Sequence, residues 1–252
     1  MYSYYGPIST ELYDFTKPVG HSISGDIEYY LHRLTGTNGK ILEAGVGSGR
    51  FLIPLLEKGF DAEGIDYSPE MLASCRKRCA ERGLPARLYE GNLSNFSLHS
   101  KYEAVVMPTG SFCLIEQSKE AIDALTCIYH HLVPGGRLIV DLLLPLHWRT
   151  GEISTSYYQL SDTEGIALES KSVEMDWINQ TTLTVLKYEK WKSGKLVDTE
   201  LQRFPLRWYG IEEFQQILKN IGFSDITCSA EYIHNKKPSI ESGLVTFEAI
   251  RK

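Results

Sequence analysis

Between about residues 26 and 145 the apolar positions switch repeatedly between a helical spacing and short continuous runs. Ile27, Tyr30, Leu31 and Leu34 recur three to four apart, which predicts a helix over 26–34. Residues 40–44 form a short apolar run that ends in a glycine-rich turn. Residues 50–58 read as a helix stopped by Gly59, and 61–66 as a second strand. Ser68 as N-cap and Pro69 at the first helical position open a helix that runs to about Arg82 and stops at Gly83. Residues 86–90 and 102–107 give a third and a fourth strand. Residues 119–131 are helical, with Ile122, Leu125, Ile128, Tyr129 and Leu132 along one side. A turn at 132–136 leads into a very apolar fifth strand over 137–144. Strands and helices alternating at this spacing predict a parallel sheet covered on both faces, and right-handed crossovers leave few topologies.

The pattern changes after Pro145. Residues 153–206 alternate with period two, as in 172–177 (Ser-Val-Glu-Met-Asp-Trp), and Ser193-Gly194 sits between two such runs as a hairpin turn. An amphipathic helix follows over 211–221, ending at Gly222. Strands over 223–230 and 244–251 then make a hairpin that returns to the main sheet. The predicted fold is α/β: a doubly wound, mostly parallel sheet with an antiparallel β insertion capping the active site.

Composition narrows the function classes. The chain has 252 residues, 42% apolar and 23% charged, which suits an ordinary globular domain. Its formal charge is −6, with basic residues scattered and Arg76-Lys77-Arg78 the nearest thing to a basic cluster. A nucleic-acid partner is therefore not expected, because it needs a basic footprint. Five dispersed cysteines make neither a disulfide framework nor a metal-ligand set; Cys75 and Cys79 share a helix face as small buried residues. No secretory leader pattern and no apolar run of ~18 residues is visible, so no membrane association and a cytoplasmic location are expected.

The chemistry concentrates in residues 41–50 (Ile-Leu-Glu-Ala-Gly-Val-Gly-Ser-Gly-Arg), where a strand runs through Gly45, Gly47 and Gly49 into a helix. Such a turn lets a ligand approach the backbone closely. In the dinucleotide fingerprint G-x-G-x-x-G a pyrophosphate sits at the helix start. Here the third glycine comes one residue early and Arg50 takes the sixth position. Glu43 ends the strand just before the turn. A carboxylate there repels a pyrophosphate and attracts an ammonium or sulfonium, so a cationic nucleoside is favoured over NAD. Asp66, at the carboxyl end of the second strand, can accept hydrogen bonds from both hydroxyls of a ribose.

These segments, with 64–72 (Gly-Ile-Asp-Tyr-Ser-Pro-Glu-Met-Leu), 91–93 (Gly-Asn-Leu) and 132–136 (Leu-Val-Pro-Gly-Gly), resemble the class I S-adenosylmethionine-dependent methyltransferases over about residues 10–145 and 205–252. The resemblance implies a seven-stranded Rossmann-like sheet with one antiparallel strand near an edge. It implies one domain, 1–252: an N-terminal helical lid segment (1–38), a cofactor-binding core (39–146), the antiparallel insertion (147–207), and a C-terminal helix and hairpin completing the sheet (208–252). It also implies S-adenosylmethionine as cofactor. Glu43, Ala44, Gly45, Gly47, Gly49 and Arg50 would hold its methionine end and Asp66 its ribose. Tyr67 and Met71 would pack on the adenine, with Gly91, Asn92 and Leu93 reading its edge. Asn92 stands where many members have Asp, and its amide oxygen can still accept. Pro108 and Thr109 belong to the loop facing methionine and substrate; apolar Met107-Pro108 stands where many members are acidic, so no acid/base role transfers.

Methyl transfer is an in-line displacement in which positioning supplies much of the rate, and a base is needed only when the acceptor must lose a proton early. Ser111, Phe112, His147, Trp148, Arg207, Trp208 and Tyr209 are the substrate-side candidates, with His147 as the candidate base and a surface histidine as its alternative. Arg207 either binds an acidic group or braces the cap. Tyr4, Tyr5 and Tyr13 either close over the cofactor or pack a docked arm, and Tyr13 is counted among the cofactor residues. An enclosing insertion supports a small-molecule acceptor, methylated on nitrogen, oxygen or carbon; a monomer or homodimer is expected. An NAD(P)-dependent oxidoreductase and a non-catalytic S-adenosylmethionine-binding module are the alternatives.

Overall fold

The computed structural model describes residues 1, 2 and 4–252. Helices α1 (Pro7–Thr16) and α2 (Asp26–Arg33) precede strand β1 (Ile41–Ala44). There follow α3 (Leu52–Glu57), β2 (Ala62–Asp66), α4 (Pro69–Ala80), β3 (Leu88–Glu90) and β4 (Tyr102–Met107). A tight helical segment, Pro108–Leu114, leads to α5 (Ser118–His131) and β5 (Leu132–Leu143). Then come β6 (Ile153–Gln159), β7 (Glu164–Asp176), β8 (Thr181–Lys192) and β9 (Lys195–Arg207). The chain closes with α6 (Ile211–Ile221), β10 (Phe223–Ala230) and β11 (Leu244–Arg251).

The main sheet has the order β10-β11-β5-β4-β1-β2-β3, with β11 antiparallel to both of its neighbours and the inner strands parallel. The pleat sends Leu42, Val105 and Leu138 to one face, where they meet Leu125 of α5 and Phe214 of α6. It sends Ile41, Val106 and Ile139 to the other, against Tyr30 of α2, Leu55 of α3 and Leu72 of α4. Covered on both faces, these strands must be nearly all apolar. The order reverses direction at β4/β1, so the glycine turn after β1 and the loop after β4 open into one crevice at the strands' carboxyl ends.

Residues 132–136, expected as a turn, are the first part of β5: Leu132 pairs with Tyr102 before a register shift brings Ala104 opposite Arg137. The bulge absorbs the Pro134-Gly135-Gly136 stretch, in which Gly135 has φ +79. The hairpin expected at Ser193-Gly194 is formed, with φ +48 and +74.

Strands β6–β9 form a separate four-stranded antiparallel sheet. Helix α1 is its bridge to the core. Ile8 and Leu12 pack on Ile166 and Tyr188 of the cap, while Arg78 and Ser74 of α4 hold Asp14. The start of α1 is fixed by Glu200 of β9, a buried carboxylate that accepts from Ile8 N (2.8 Å) and Ser9 Oγ (2.5 Å) and more weakly from Gly6 N (3.3 Å). A carboxylate at a helix N-terminus is favoured by the unsatisfied N–H groups and the helix dipole. Glu200→Ala is expected to cost about 1–3 kcal/mol of stability and to speed amide hydrogen exchange over residues 5–16. Unchanged exchange there would mean that the apolar contacts alone seat the helix.

Candidate active site

The turn after β1 is built from three left-handed glycines, with φ +79 at Gly45, +54 at Gly47 and +83 at Gly49. Gly45 N and Val46 N both donate to Ile65 O of β2, which pins the turn to the sheet. The later glycines are needed for different reasons. A Cβ on Gly49 would lie 2.6 Å from Cys75 Sγ, so this glycine lets α4 pack close. A Cβ on Gly47 would meet only Met71 Sδ, at 3.9 Å. Among the described residues beyond its chain neighbours nothing else comes within 4 Å of that position, which suits a ligand lying against the backbone.

Glu43, at the end of β1, is buried, and its Oε2 has no hydrogen-bond partner among the described residues. Burial pushes its carboxyl well above the usual carboxylate range, against the pull of the Arg50 guanidinium. A buried, half-satisfied carboxylate is costly, and a cationic ligand beside the turn relieves that cost. The open space over Gly47 and the orphaned Glu43 oxygen therefore fit an adenosyl sulfonium bearing an ammonium group; they do not fit a pyrophosphate. Arg50 is committed elsewhere: its Nη2 pairs with buried Asp26 at 2.5 Å and its Nη1 donates to His21 O at 2.6 Å. Asp26 thus ties α2 to the turn, a role for which a lone acidic residue in a helix gave no sign. Tyr13 lies beside Arg50, and burial raises its hydroxyl pKa despite that cation.

Asp66 ends β2 and accepts from Gly47 N (2.8 Å, Oδ2) and Ser68 N (2.9 Å, Oδ1). Each oxygen keeps a second lone pair, so a ribose diol can still be held. Met71 is buried below Gly47, whereas Tyr67 is 59% exposed and makes an edge-on ring contact with Tyr4. Leu93 is half-buried against the core beside Gly91. Asn92 Oδ1 accepts from both Ser94 N and Ser94 Oγ at 2.9 Å. Both its acceptor positions are taken, so the contact to an adenine amine expected of Asn92 is not poised in this conformation. The N-terminal arm is docked at the crevice: Ser68 Oγ donates to Tyr5 O (2.7 Å), and Tyr5 stacks edge-on to Tyr13.

The loop after β4 depends on a residue the sequence reading passed over. Thr109 has φ +54, unusual for a β-branched residue. Its N–H donates to Asp141 Oδ2 (2.6 Å), and Asp141 also accepts from Tyr232 (2.7 Å) and Thr246 (2.6 Å). Asp141 lies in the very apolar run of β5, and only the fold shows that it faces three donors. The anchored loop brings Ser111 against Gly45.

Burial pushes the Asp141 carboxyl up to about 6, although its hydrogen bonds favour the anion. A carboxyl with a higher pKa folded than unfolded stabilises the native state most below the unfolded pKa, and loses that contribution as pH rises through the folded one. Two pH units correspond to about 3 kcal/mol. The stability of the wild type relative to Asp141→Asn is therefore expected to fall by up to about 3 kcal/mol as pH rises from about 4 to about 7. Urea denaturation at each pH measures this; a pH-independent difference would assign the titration to another group.

The substrate-side candidates separate. Phe112 is fully buried and packs on Tyr209 and Phe214, and Tyr209 is itself buried in the same cluster. Both are core residues, which corrects their expected contact with substrate. His147 is exposed in the turn after β5 with no hydrogen bond among the described residues, so no partner orients it as a base. Trp148 donates to Thr184 Oγ1 (3.3 Å), and Trp208 stacks edge-on to Trp177; both brace the cap. Ser111 Oγ donates to Pro108 O at 3.1 Å. Arg207 is buried with one hydrogen bond, from Nη1 to Glu116 O at 3.1 Å. Among the described residues no His/Cys/Asp/Glu cluster suits a metal, and no helix is long and apolar enough to cross a membrane.

Comparison with known proteins agrees with this geometry. A family model described as a methyltransferase domain matches residues 41–136, from β1 through the first part of β5. YqeM of Bacillus subtilis (strain 168), named as a methyltransferase, is 25% identical over 84% of this chain and 83% of its own. The glycine/sarcosine N-methyltransferase of Halorhodospira halochloris is 34% identical over 40% of this chain and 39% of its own. Among solved structures, the sugar N-methyltransferase KedS8 from Streptoalloteichus sp. ATCC 53650 superposes with a TM-score of 0.76 at 21% identity, over 100% of this chain and 97% of that one. An S-adenosylmethionine-dependent methyltransferase from Clostridium acetobutylicum ATCC 824 gives 0.75 at 19% identity, over 95% and 96%. The glycine turn, the seven-stranded order and these matches agree: residues 41–136 are a methyltransferase domain, and the chain has the fold of the S-adenosylmethionine-dependent methyltransferases.

Proposed function

We propose that this methyltransferase acts on a small molecule, at a nitrogen, oxygen or carbon atom, and that nitrogen is the first acceptor to test. Two of the similar proteins are named as N-methyltransferases, one of glycine and sarcosine and one of a sugar. The observation that carries the cofactor part of the reading is the buried oxygen of Glu43, without a partner among the described residues, beside the glycine turn. The net charge of −6 disfavours a nucleic-acid acceptor. The free cysteines fit a reducing compartment, in keeping with a cytoplasmic enzyme.

When bound, S-adenosylmethionine supplies an electrophilic methyl carbon on a sulfonium. Glu43 and the N–H groups of 45–49 would hold its methionine end, Asp66 its ribose, and Met71 with Gly91 and Leu93 its adenine. Tyr5 and Tyr13, on an arm tied to the cap by Glu200, exclude water from the crevice, where fixed dipoles and a dry site favour the dispersal of charge. Asp141 keeps Thr109 and its loop facing the turn. The chain then acts as one unit: the lid segment (1–38) and the insertion (147–207) close over the core (39–146), and residues 208–252 complete the sheet.

Calorimetry with S-adenosylhomocysteine and with NADH tests the cofactor. Tight binding of the first and none of the second is expected, and the reverse would overturn the reading. Transfer of labelled methyl from S-adenosylmethionine to a panel of small amines, hydroxyl compounds and carbon acids tests the acceptor class. Labelling confined to added protein or RNA would contradict a small-molecule acceptor.

A further inference from the structure

A cavity of about 350 Å³ opens between the start of α5 and strands β7 to β9, within the size range of small-ligand sites. Ser118 and Lys119 line it from α5, Glu174 and Asp176 from β7, and Arg203 and Arg207 from β9. Most of this charge is already spent. Arg203 makes a two-pronged pair with Glu116, both arms at 2.5 Å, and Lys119 pairs with Asp123 at 2.7 Å. Asp176 accepts from Ile178 N, Asn179 N and Asn179 Nδ2 in its own turn.

Arg207 is different. It is 8% exposed, forms no ion pair among the described residues, and has a buried Nε with no partner. A buried guanidinium with donors unused is costly and wants an oxygen anion, ideally one that takes two N–H bonds side by side. The second feature of the cavity points the same way. Helix α5 is 14 residues long and starts at Ser118 with no side-chain cap on its first N–H groups, which favours negative charge at that end. Arg207 also lies over the face of Tyr209, 5.5 Å from its centroid, and Tyr209 packs on Phe112 in the loop that faces the glycine turn. Two packed rings, Tyr209 and Phe112, thus connect the cation to the loop that faces the glycine turn.

We infer that Arg207 and the first turn of α5 bind an anionic oxygen group, a carboxylate or a phosphate, carried by the methyl acceptor; this rests on the small-molecule reading above. Glu174, exposed on β7 and acting on Arg203, weakens the positive potential there without closing the site. It limits the pocket's preference for highly charged groups.

The test follows the Arg207 Nε–H resonance in protein labelled with ¹⁵N-arginine, assigned by its disappearance in Arg207→Lys. Sodium acetate, inorganic phosphate and sodium chloride are titrated at constant ionic strength, with and without S-adenosylhomocysteine. A saturable shift with acetate or phosphate, and none with chloride, is expected. Acetate alone indicates a carboxylate-bearing acceptor; phosphate alone indicates a phosphorylated one. Glu174→Gln is expected to tighten the responding anion roughly two- to fivefold. In Arg207→Lys the tryptophan fluorescence response to that anion should vanish while the affinity for S-adenosylhomocysteine stays within about twofold. No saturable shift with either anion, or a fluorescence response that survives in Arg207→Lys, would overturn the assignment. A wild type that responds to anion but not to S-adenosylhomocysteine would overturn the methyltransferase reading, and with it the assignment of the anion to a methyl acceptor, while the anion site at Arg207 itself would remain.

Discussion

Gly47→Val is expected to abolish measurable binding of S-adenosylhomocysteine in a protein that still folds. The protein itself has room for the new side chain, since a Cβ at Gly47 would meet only Met71 Sδ at 3.9 Å. Any loss of binding therefore reports on what occupies the space above the turn. Two branched methyl groups there would overlap a ligand held against the backbone, and a weakening of at least roughly 100-fold is expected in calorimetry, which corresponds to about 2.7 kcal/mol. The substitution also forces a β-branched residue to φ +54, a strain of about 1–3 kcal/mol paid in stability. Gly83→Val separates the two effects. Gly83 has φ +65 and nothing within 4 Å of its Cβ position, at the far end of α4. It should lose comparable stability and keep full affinity. Normal binding by Gly47→Val would place the ligand elsewhere.

The parallel core was legible because each of its signals is local. A strand buried on both faces must be apolar throughout, a helix must show a stripe, and Pro69 and Ser68 mark a start that the structure forms as expected, with Ser68 accepting from Met71 N. The period-two run from 153 to 206 likewise marked an antiparallel insertion, which forms as strands β6 to β9. The turn and Asp66 were legible because glycines at positive φ and a carboxylate at a strand's end are rare without a backbone reason. What escaped depends on long-range placement. Glu200 looks like one more polar residue on an exposed strand until α1 arrives 190 residues away to use its carboxylate. Asp141 interrupts an apolar strand, and the identity of its donors on Thr109, Tyr232 and Thr246 is fixed only by tertiary packing. Phe112 and Tyr209 misled for the converse reason: near a predicted crevice an aromatic ring reads equally well as wall or as ligand contact, and only burial decides. Asn92 was read by its type, while its oxygen turned out to serve a local turn, the commonest fate of an Asn in a loop.

Asp66→Ala is expected to weaken S-adenosylhomocysteine binding by about 1–3 kcal/mol, roughly 5- to 150-fold, the range for stranding buried polar partners. Two losses combine in that figure. The ligand's ribose hydroxyls lose an acceptor, and Gly47 N loses the carboxylate that orients the turn at 2.8 Å. Asp66→Asn divides them, because one amide oxygen can serve either the turn or the ribose and an intermediate affinity should result. The wild type should also bind less tightly as the solution is acidified, since burial raises the Asp66 pKa above its ordinary value and only the ionised group has all its lone pairs free to accept. Asp66→Asn should lose the part of that acid limb due to Asp66 and keep the part that buried Glu43 contributes. An alanine variant whose melting temperature drops while its affinity holds would make Asp66 a brace for the glycine turn alone, and a pH-independent wild-type affinity would deny the carboxylate any part in holding the ligand.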